Sequence, residues 1–537
     1  MDFKEQIGKA CCGQIVPVYT VHNEAVDPIS FFSLLSEKGE KENCILLESA
    51  DVMKRYGEKS IGCSSPCLKA KGKGNRFEIT ALNETGERFI EFIKGDFGFC
   101  KKLSVEKGMI EGEIEKRKEI VSEEERLRTV TLADALRTIA FKFKPAAKPF
   151  PVFGGLFGAI SYDFIDQFEQ LPKNKQDLNN DPDFEMLFCD SLFLIDHADK
   201  KTVFIANALL TGKGDEKEAE RCAAIIESYE NALSKIKSTQ VKKTPNPKKA
   251  NLKISSDTSR QEFISIVKKC KQRIVAGDVF QIVPSRTTVV ETGVSPLAVY
   301  KQLRSLNPSP YMFFMRTNEG VLLGSSPETF LKVEGNASKK IEIRPIAGTK
   351  PRGLVNGKID LELDSRFENE LKTDEKELAE HTMLVDLARN DAARVSVPGT
   401  RFVDRPHYIE KYSHVMHLVS NVTGTLKPGL DALHAYLASM NMGTLTGAPK
   451  VKAMELLRKF EKAKRGYYGG SIGYLTPSGD FDSAIVIRSI RMKKGRAFVR
   501  AGAGIVFDSL PEKEFEETER KARACIKAIE LAAGVPE

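Results

Sequence analysis

No tryptophan occurs among the 537 residues, and only 7 are histidine. Long apolar runs are also missing. The most apolar stretch, FPVFGGLFGAISYDFI at 150–165, is too short and too rich in glycine to span a bilayer, so no membrane-spanning helix is expected. The ten cysteines lack metal-site spacing. Cys63 and Cys67 come closest, but no second pair or nearby histidine completes a set, which argues against a thiolate metal centre. Buried, reduced thiols of a cytosolic protein are expected instead. Lysine and arginine are spread rather than striped, and a net charge of +8 is modest at this length, so nucleic acid is not an expected partner. MDFKEQIGKACC carries acids and no apolar core region, so no targeting segment is read there and a cytoplasmic location is expected. No internal repeat is visible.

What is present describes an ordinary globular chain, 29% charged and 41% hydrophobic. Its length allows two or more domains or one large intertwined core. The mild positive balance weakly favours a small anionic substrate. In chain order, 14–21 and 45–49 read as strands, 76–93 as strand then helix, and the charged stretch 101–128 as an exposed helix with loops. A Gly-bearing strand follows at 152–163, two apolar strands at 184–206, and an amphipathic helix at 216–236 that turns Ala219, Cys222, Ala223, Ile226 and Tyr229 to one side. Residues 237–257, rich in Lys, Pro and Ser, read as a linker between an N-terminal region (1–236) and a C-terminal domain (258–537). Beyond it Ser259 and Glu262 form a capping box, the helix buries Phe263, Ile266, Val267, Cys270 and Ile274, and Gly277 stops it.

The C-terminal domain is organised around ELAEHTMLVDLARND at 377–391. Leu384, Leu387 and Ala388 continue the helical face begun by Glu377, Glu380 and His381. Carboxylates on an apolar face are expensive unless a cation or hydrogen-bond partner receives them. Acids pointing to solvent from a first helical turn are the plain alternative. A second carboxylate helix spans 512–533, with Glu512, Glu514, Glu516, Glu517 and Glu519 crowded into its start. One Glu from each helix, with water and a substrate carboxylate, suits Mg2+, a hard cation that takes oxygen ligands. The residues do not say which Glu of the last helix would serve. Arg488 follows Ile485-Val486-Ile487 and reads as a buried-strand arginine that wants a carboxylate or phosphate in its fork, or else an internal ion pair. Gly502, Ala503 and Gly504 read as a tight strand or turn whose backbone N–H groups face an anion, or as close packing. His417 lies in an apolar run, where a lone histidine is more often a satisfied core residue than a catalyst.

Other polar motifs in the same half are FQIVPSR (280–286), SPYMFF (309–314), GSSPE (324–328), IRPIAGT (343–349), YSHVMHLVSNVTG (412–424), GTLTGAPK (443–450), YYGGSIGYL (467–475), IVIRS (485–489) and RAGAGIVFDS (500–509). In this order and wording they resemble the large, synthase subunits (component I) of anthranilate synthases, within the chorismate-utilising enzymes. The resemblance runs from 14 to about 530 and is strongest beyond 258. It implies an α/β fold in which two large, mainly antiparallel sheets pack against each other with helices outside. It also implies an Mg2+-dependent amination of chorismate by ammonia that releases pyruvate and leaves anthranilate. Two positions carry the choice of chemistry. Ala347 stands where aminodeoxychorismate synthases with a covalent intermediate have lysine. Gln281 stands where isochorismate and salicylate synthases have the lysine that activates water. An aminodeoxychorismate synthase that works without the lysine is the alternative kept.

Residue by residue, the resemblance assigns Glu380 and Glu517 to Mg2+, and Gly348, Thr349, Tyr468, Arg488, Gly502, Ala503 and Gly504 to chorismate. It assigns acid–base work to His417 and Glu328, and makes Glu377 and Glu514 indirect metal contacts. Leu46, Leu47, Glu48 and Ser49, with Pro310, Tyr311 and Met312, match the positions that bind tryptophan as feedback inhibitor, in what would be a regulatory N-terminal region intertwined with the rest. The absent tryptophan fits an enzyme needed when that amino acid is scarce. None of the ten cysteines sits in a G-x-C-x-G elbow, so a separate glutamine amidotransferase subunit is implied as the ammonia source, in a hetero-oligomer.

Overall fold

The computed structural model describes residues 3–49, 59–115, 125, 127–238, 252–355, 357–412 and 415–535. Most of the expected linker therefore lies outside the described residues. Its last part, Lys253–Ser256, is not a linker but an edge strand paired with Ser285–Glu291.

Two large sheets, of twelve and thirteen strands, make up the frame, and nearly all their pairings are antiparallel. Each sheet takes six strands from before the 239–251 gap, and six or seven from after it. In the twelve-stranded sheet the two halves meet where Cys44–Glu48 pairs with Tyr311–Thr317. In the thirteen-stranded sheet they meet where Gly155–Ile160 pairs with Ser471–Leu475. Strand alternation explains the layers. Ile45 and Leu47 face the other sheet, and the core there unites Ile45, Leu192, Leu194 and Val203 with Leu156, Phe157, Leu187, Phe330 and Ile472. Leu46, Phe193, Phe204, Met312, Phe314 and Leu323 point the other way, beneath the helices Pro28–Leu35, Glu218–Ser238, Pro296–Leu306 and Pro511–Ala532.

The capping box of Ser259 and Glu262 is present at Arg260–Val275, and Gly277 follows at φ +78°. All ten cysteines are free thiols, and seven are buried, packed as small apolar groups. Among the described residues no helix is long and apolar enough to cross a membrane.

Two local readings differ from the structure. Over 102–113 the chain forms a hairpin, Lys102–Glu106 and Met109–Glu113, where a helix with loops was expected; most of the rest of that stretch, 116–124 and 126, lies outside the described residues. Gly108 closes its turn at φ +74°, and Ile110 is buried opposite Ile79, so one inward side chain outweighs the helix-favouring charges around it. Three strands, not two, occupy the apolar region from 184, the third being Lys201–Leu209.

Candidate functional site

The site begins at a bulge. Strand Ile346–Pro351 pairs with Val415–Thr425 so that Ala347 faces Leu418 and Thr349 faces His417, with a register shift between. Gly348 fills that shift at φ +66°; a Cβ there would meet Leu371 Cδ1 at 2.8 Å and Glu377 Oε2 at 3.1 Å, so only glycine fits. His417 Nδ1 lies 3.0 Å from the Gly348 carbonyl and 3.0 Å from Thr349 Oγ1. A carbonyl can only accept, so Nδ1 carries the proton and Nε2 is the nitrogen left for chemistry. Burial, with the Arg488 charge adding to it, holds His417 below the usual imidazole range, against the pull of the Gly348 carbonyl. The ring is therefore neutral at pH 7.

Glu328 follows strand Gly320–Ser326, and its carbonyl accepts from Ile485 N–H at 3.0 Å. Its buried carboxyl is pushed up to about 7 by burial, with Thr444 and Lys521 opposing the rise. The two expected acid–base residues are thus shifted in opposite senses, a pattern that separates an acid from a base.

Helix Glu375–Val395 is capped by Asp374, which accepts from the N–H groups of Lys376 and Glu377. Its apolar stripe packs on helix Ala432–Ser439 and on the two bulge strands. That rotation leaves Glu377 and Glu380 half-buried near the helix N-terminus, where the dipole favours negative charge. Helix Pro511–Ala532 packs on Arg260–Val275, Pro296–Leu306 and strand Arg496–Gly502. Of its five early glutamates only Glu514 and Glu517 are half-buried; Glu512, Glu516 and Glu519 are exposed. The two helix starts face each other electrostatically. Burial raises Glu377 and Glu380 above the carboxylate range, and the charge of Glu517 adds to the first and that of Glu514 to the second. Glu514 is raised by burial too, with Glu517 adding. Burial also pushes at Glu517, but Lys521 at 3.2 Å and Arg520 at 2.5 Å hold it below the ordinary value.

These residues suit a hard divalent cation. The donors are all carboxylate oxygens, and three of the four carry a like-charge penalty that a cation would remove. Among the described residues no group of three or more His, Cys, Asp or Glu side chains could jointly hold a metal. Any ion here would take few protein ligands and complete its shell from water and substrate, as Mg2+ does.

Arg488 is not in a strand. It occupies a bend between Phe481–Ile485 and Ser489–Lys493, half-buried, at φ +49°. The left-handed backbone takes it out of the ladder, a strained conformation that concentrates at functional sites. Nor does it make an internal ion pair among the described residues. Among the described residues its hydrogen bond goes to the Lys521 carbonyl at 3.2 Å, and no carboxylate answers its charge. Strand Arg496–Gly502 ends beside it. The expectation of three anion-facing amides at 502–504 needs correction, because Ala503 N–H is committed to Pro284 O at 3.1 Å. Gly504 N–H has no partner among the described residues. A Cβ at Gly502 would lie 3.2 Å from Tyr468 Oη, and one at Gly504 would lie 2.8 Å from Gln281 Nε2, so Tyr468 and Gln281 flank the turn. Gln281 Oε1 is buried without a hydrogen-bond partner among the described residues.

Lys521 escaped the sequence reading. Its ammonium donates to Gly502 O at 3.1 Å and pairs with Glu517 at 3.2 Å, and its charge reaches Glu328. Its i+4 spacing from Glu517 was the available signal.

The expected inhibitor positions meet at the seam of the twelve-stranded sheet, where Met312 opposes Glu48. Their side chains divide between faces. Glu48 and Met312 lie on the outer face, where Glu48 accepts from Tyr300 Oη at 2.5 Å and pairs with Arg304 at 3.3 Å. Glu48 is therefore already committed and not free for an amino acid ligand. Alternation turns Leu47, Ser49 and Tyr311 toward the other sheet. Tyr311 Oη bonds Asp482 Oδ1 and Thr329 Oγ1, each at 3.1 Å. Asp482, raised to about 6 by burial, lines a cleft of about 570 Å³ together with Tyr474 and Phe150.

This geometry belongs to a known class. Residues 99–527 match the family described as chorismate binding enzyme, and the chain belongs to that family. Among curated proteins it is similar to anthranilate synthase component 1 of Buchnera aphidicola subsp. Pemphigus spyrothecae, 42% identical over 513 residues, 94% of each chain. It is likewise similar to anthranilate synthase component 1 of Escherichia coli, 40% identical over 509 residues, covering 94% of this chain and 95% of that protein. Among solved structures, anthranilate synthase component I from Streptococcus pneumoniae superposes with a TM-score of 0.69 at 29% identity, covering 87% of this chain and 92% of that one. The family and fold expected from the motifs are both borne out.

Proposed function

We propose that the chain converts chorismate and ammonia to anthranilate, pyruvate and water, as the synthase component of an anthranilate synthase. One observation carries the reading. A half-buried carboxylate cluster suited to a cation and an Arg488 with no carboxylate partner among the described residues are linked through Lys521, and chorismate has two carboxylates to divide between them. Mg2+ held by Glu380 and Glu517 would neutralise the ring carboxylate and draw electron density from the ring. Arg488 and Gly504 N–H hold the enolpyruvyl carboxylate, and Tyr468, Gly348 and Thr349 bound the ring.

Ammonia adds to the ring carbon beside the carboxylate-bearing one, and the hydroxyl across the ring leaves as water with the proton of Glu328. His417 Nε2 then takes the proton from the aminated carbon. The ring C–O bond breaks, and the enolpyruvyl group departs as pyruvate as His417 passes the proton it has taken to the methylene carbon, while the extra proton of the added ammonium restores Glu328. Ala347 offers no amine to compete with ammonia, and Gln281 offers no base to activate water.

Ammonia comes from glutamine through a partner amidotransferase component. The purified chain is therefore expected to form anthranilate from ammonium salts and none from glutamine; glutamine-driven turnover by the chain alone would contradict this.

Tryptophan binds between the sheets beside Ser49, Pro310 and Tyr311 as feedback inhibitor. Thr329, bonded by Tyr311, directly follows Glu328, which gives a short physical route between the two sites. Ser49→Phe should abolish inhibition by tryptophan while sparing turnover; an unchanged inhibition curve would remove Ser49 from the site.

A further inference from the structure

Behind Tyr468 lies a buried charge cluster distinct from the acid–base and metal-binding groups. Glu461 caps the end of helix Lys450–Phe460, is 6% exposed, and receives two arginines. Arg465 donates to its two oxygens at 3.0 and 2.6 Å, and Arg500 donates to one of them at 2.9 Å. Ser285 adds its N–H and its hydroxyl, both at 2.8 Å. Burial pushes at Glu461, but Arg465 and Arg500 hold it below the ordinary carboxylate value, so it is ionised at neutral pH. Two guanidinium groups therefore share one carboxylate, and among the described residues neither pairs with a second. The neighbouring Arg491 is matched by its own partner, Asp181, at 2.8 Å. The cluster keeps one net positive charge in the interior. Such an excess is costly, and packing alone would be served better by a matched pair or by apolar side chains. A fold that retains it has an anion to meet.

The residue in front of the cluster says which anion. Tyr468 is buried with its hydroxyl beside Gly502, and no hydrogen bond fixes that hydroxyl among the described residues. Cations hold the ring instead: the guanidinium carbons of Arg465 and Arg500 each lie 6.0 Å from its centroid. The same arginines fasten the backbone around the site. Arg465 donates to Val283 O at 2.7 Å and to Leu445 O at 2.6 Å, and so joins the segment that carries Gln281 to the one whose Thr444 lies beside Glu328. Arg500 stands on the strand that leads into the 502–504 turn and donates to Ser285 Oγ at 2.8 Å.

We propose that Glu461, Arg465 and Arg500 are positioning residues: they set the Tyr468 ring and hold a net positive charge behind its hydroxyl, which then donates a stronger hydrogen bond to the enolpyruvyl carboxylate of chorismate. The inference rests on the reaction proposed above and adds residues that act through Tyr468. A hydrogen bond gains strength where charge assists it in a dry interior. The enolpyruvyl carboxylate keeps its charge from binding until the group departs. The contribution is therefore equal in the ground state and the transition state, and it belongs to KM rather than kcat.

Arg500→Gln tests this, because it removes the excess charge and leaves Glu461 and Arg465 as a matched pair. With ammonium salts as donor, KM for chorismate should rise about tenfold and kcat should stay within about threefold of wild type. The melting temperature should be unchanged or higher, since the costly charge is gone. Arg500→Lys keeps the charge and should bring KM back to within about threefold of wild type. In a double-mutant cycle, Arg500→Gln should add nothing to Tyr468→Phe, which removes the hydroxyl through which the charge acts. Unchanged KM in Arg500→Gln would overturn the proposal, whatever happens to its melting temperature. So would a KM effect that adds fully to that of Tyr468→Phe. If the glutamine variant does not fold, Arg500→Met is read in the same way; failure of both to fold would also overturn the proposal, since the fold itself would then need the charge. A wild-type chain that makes no anthranilate from ammonium would instead refute the reaction, while chorismate affinity measured by calorimetry in these variants would still decide the role of the cluster.

Discussion

Glu380→Gln is expected to lower chorismate turnover by about 10³-fold, the scale of removing several kcal/mol of charge stabilisation from the reacting group. The same change should leave the metal-free protein as stable as wild type or more so. Glu380 is raised by burial and by the charges of Glu377 and Glu514, so its ionised form is a liability in the fold without a cation. For a carboxyl raised in this way, stability is fully present below the unfolded value near 4.5 and is lost as pH climbs through the folded one. At pH 8 the wild type bears that loss and the glutamine variant does not. Melting curves with and without Mg2+ and chorismate provide the second readout. Wild type should gain stability from the pair, and the variant should gain little. Glu517→Ala should lose turnover likewise, but it also strips Lys521 and Arg520 of their partner, so its own stability should fall. Mg2+-dependent turnover within tenfold of wild type in Glu380→Gln would remove that residue from the metal site.

Glu328→Gln preserves shape and removes the only proton that the buried carboxyl can give. A general acid contributes about 10²–10⁴-fold, and a loss of that size is expected. The pH profile makes the test specific. Glu328 is pushed up to about 7, so wild-type turnover should fall as pH rises past that value and the acid form disappears. In the variant this limb should vanish from what activity remains. Thermal stability should follow the same group: the part owed to neutral Glu328 is present below about 4.5 and lost as pH rises through about 7, whereas the glutamine variant stays flat. His417→Ala should impair the opposite limb, because the proposed base is a neutral imidazole with Nδ1 held by Gly348. Wild-type turnover in both variants would void these assignments.

Much of the frame was legible in the sequence because it is written in periodicity and caps. The 377–391 stripe became helix Glu375–Val395, with its two glutamates half-buried as their place on the apolar face required. Ser259, Glu262 and Gly277 marked a helix at both ends. The rotation of the last helix was not legible. Five glutamates crowd its start, and only its packing on two other helices and a strand decides that Glu514 and Glu517 turn inward. Arg488 was misplaced for a related reason. Three apolar residues before it look like a strand, but a positive φ imposed by tertiary context ends the ladder first. The amide of Ala503 and the carboxylate of Glu48 were offered to ligands by local reading, whereas distant chain segments, Pro284 and Tyr300, had already taken them. Hydrogen bonds between residues hundreds of positions apart leave no trace in local pattern.

The central claim is that this site delivers ammonia, and neither water nor a lysine, to the ring carbon beside the carboxylate. Its most direct test is mass spectrometry of the products formed by the pure chain from chorismate, 15N-labelled ammonium and Mg2+. The account predicts 15N-anthranilate and pyruvate in equal amounts, with none formed when Mg2+ is withheld. Isochorismate, salicylate or an aminodeoxychorismate that retains its enolpyruvyl group would contradict it.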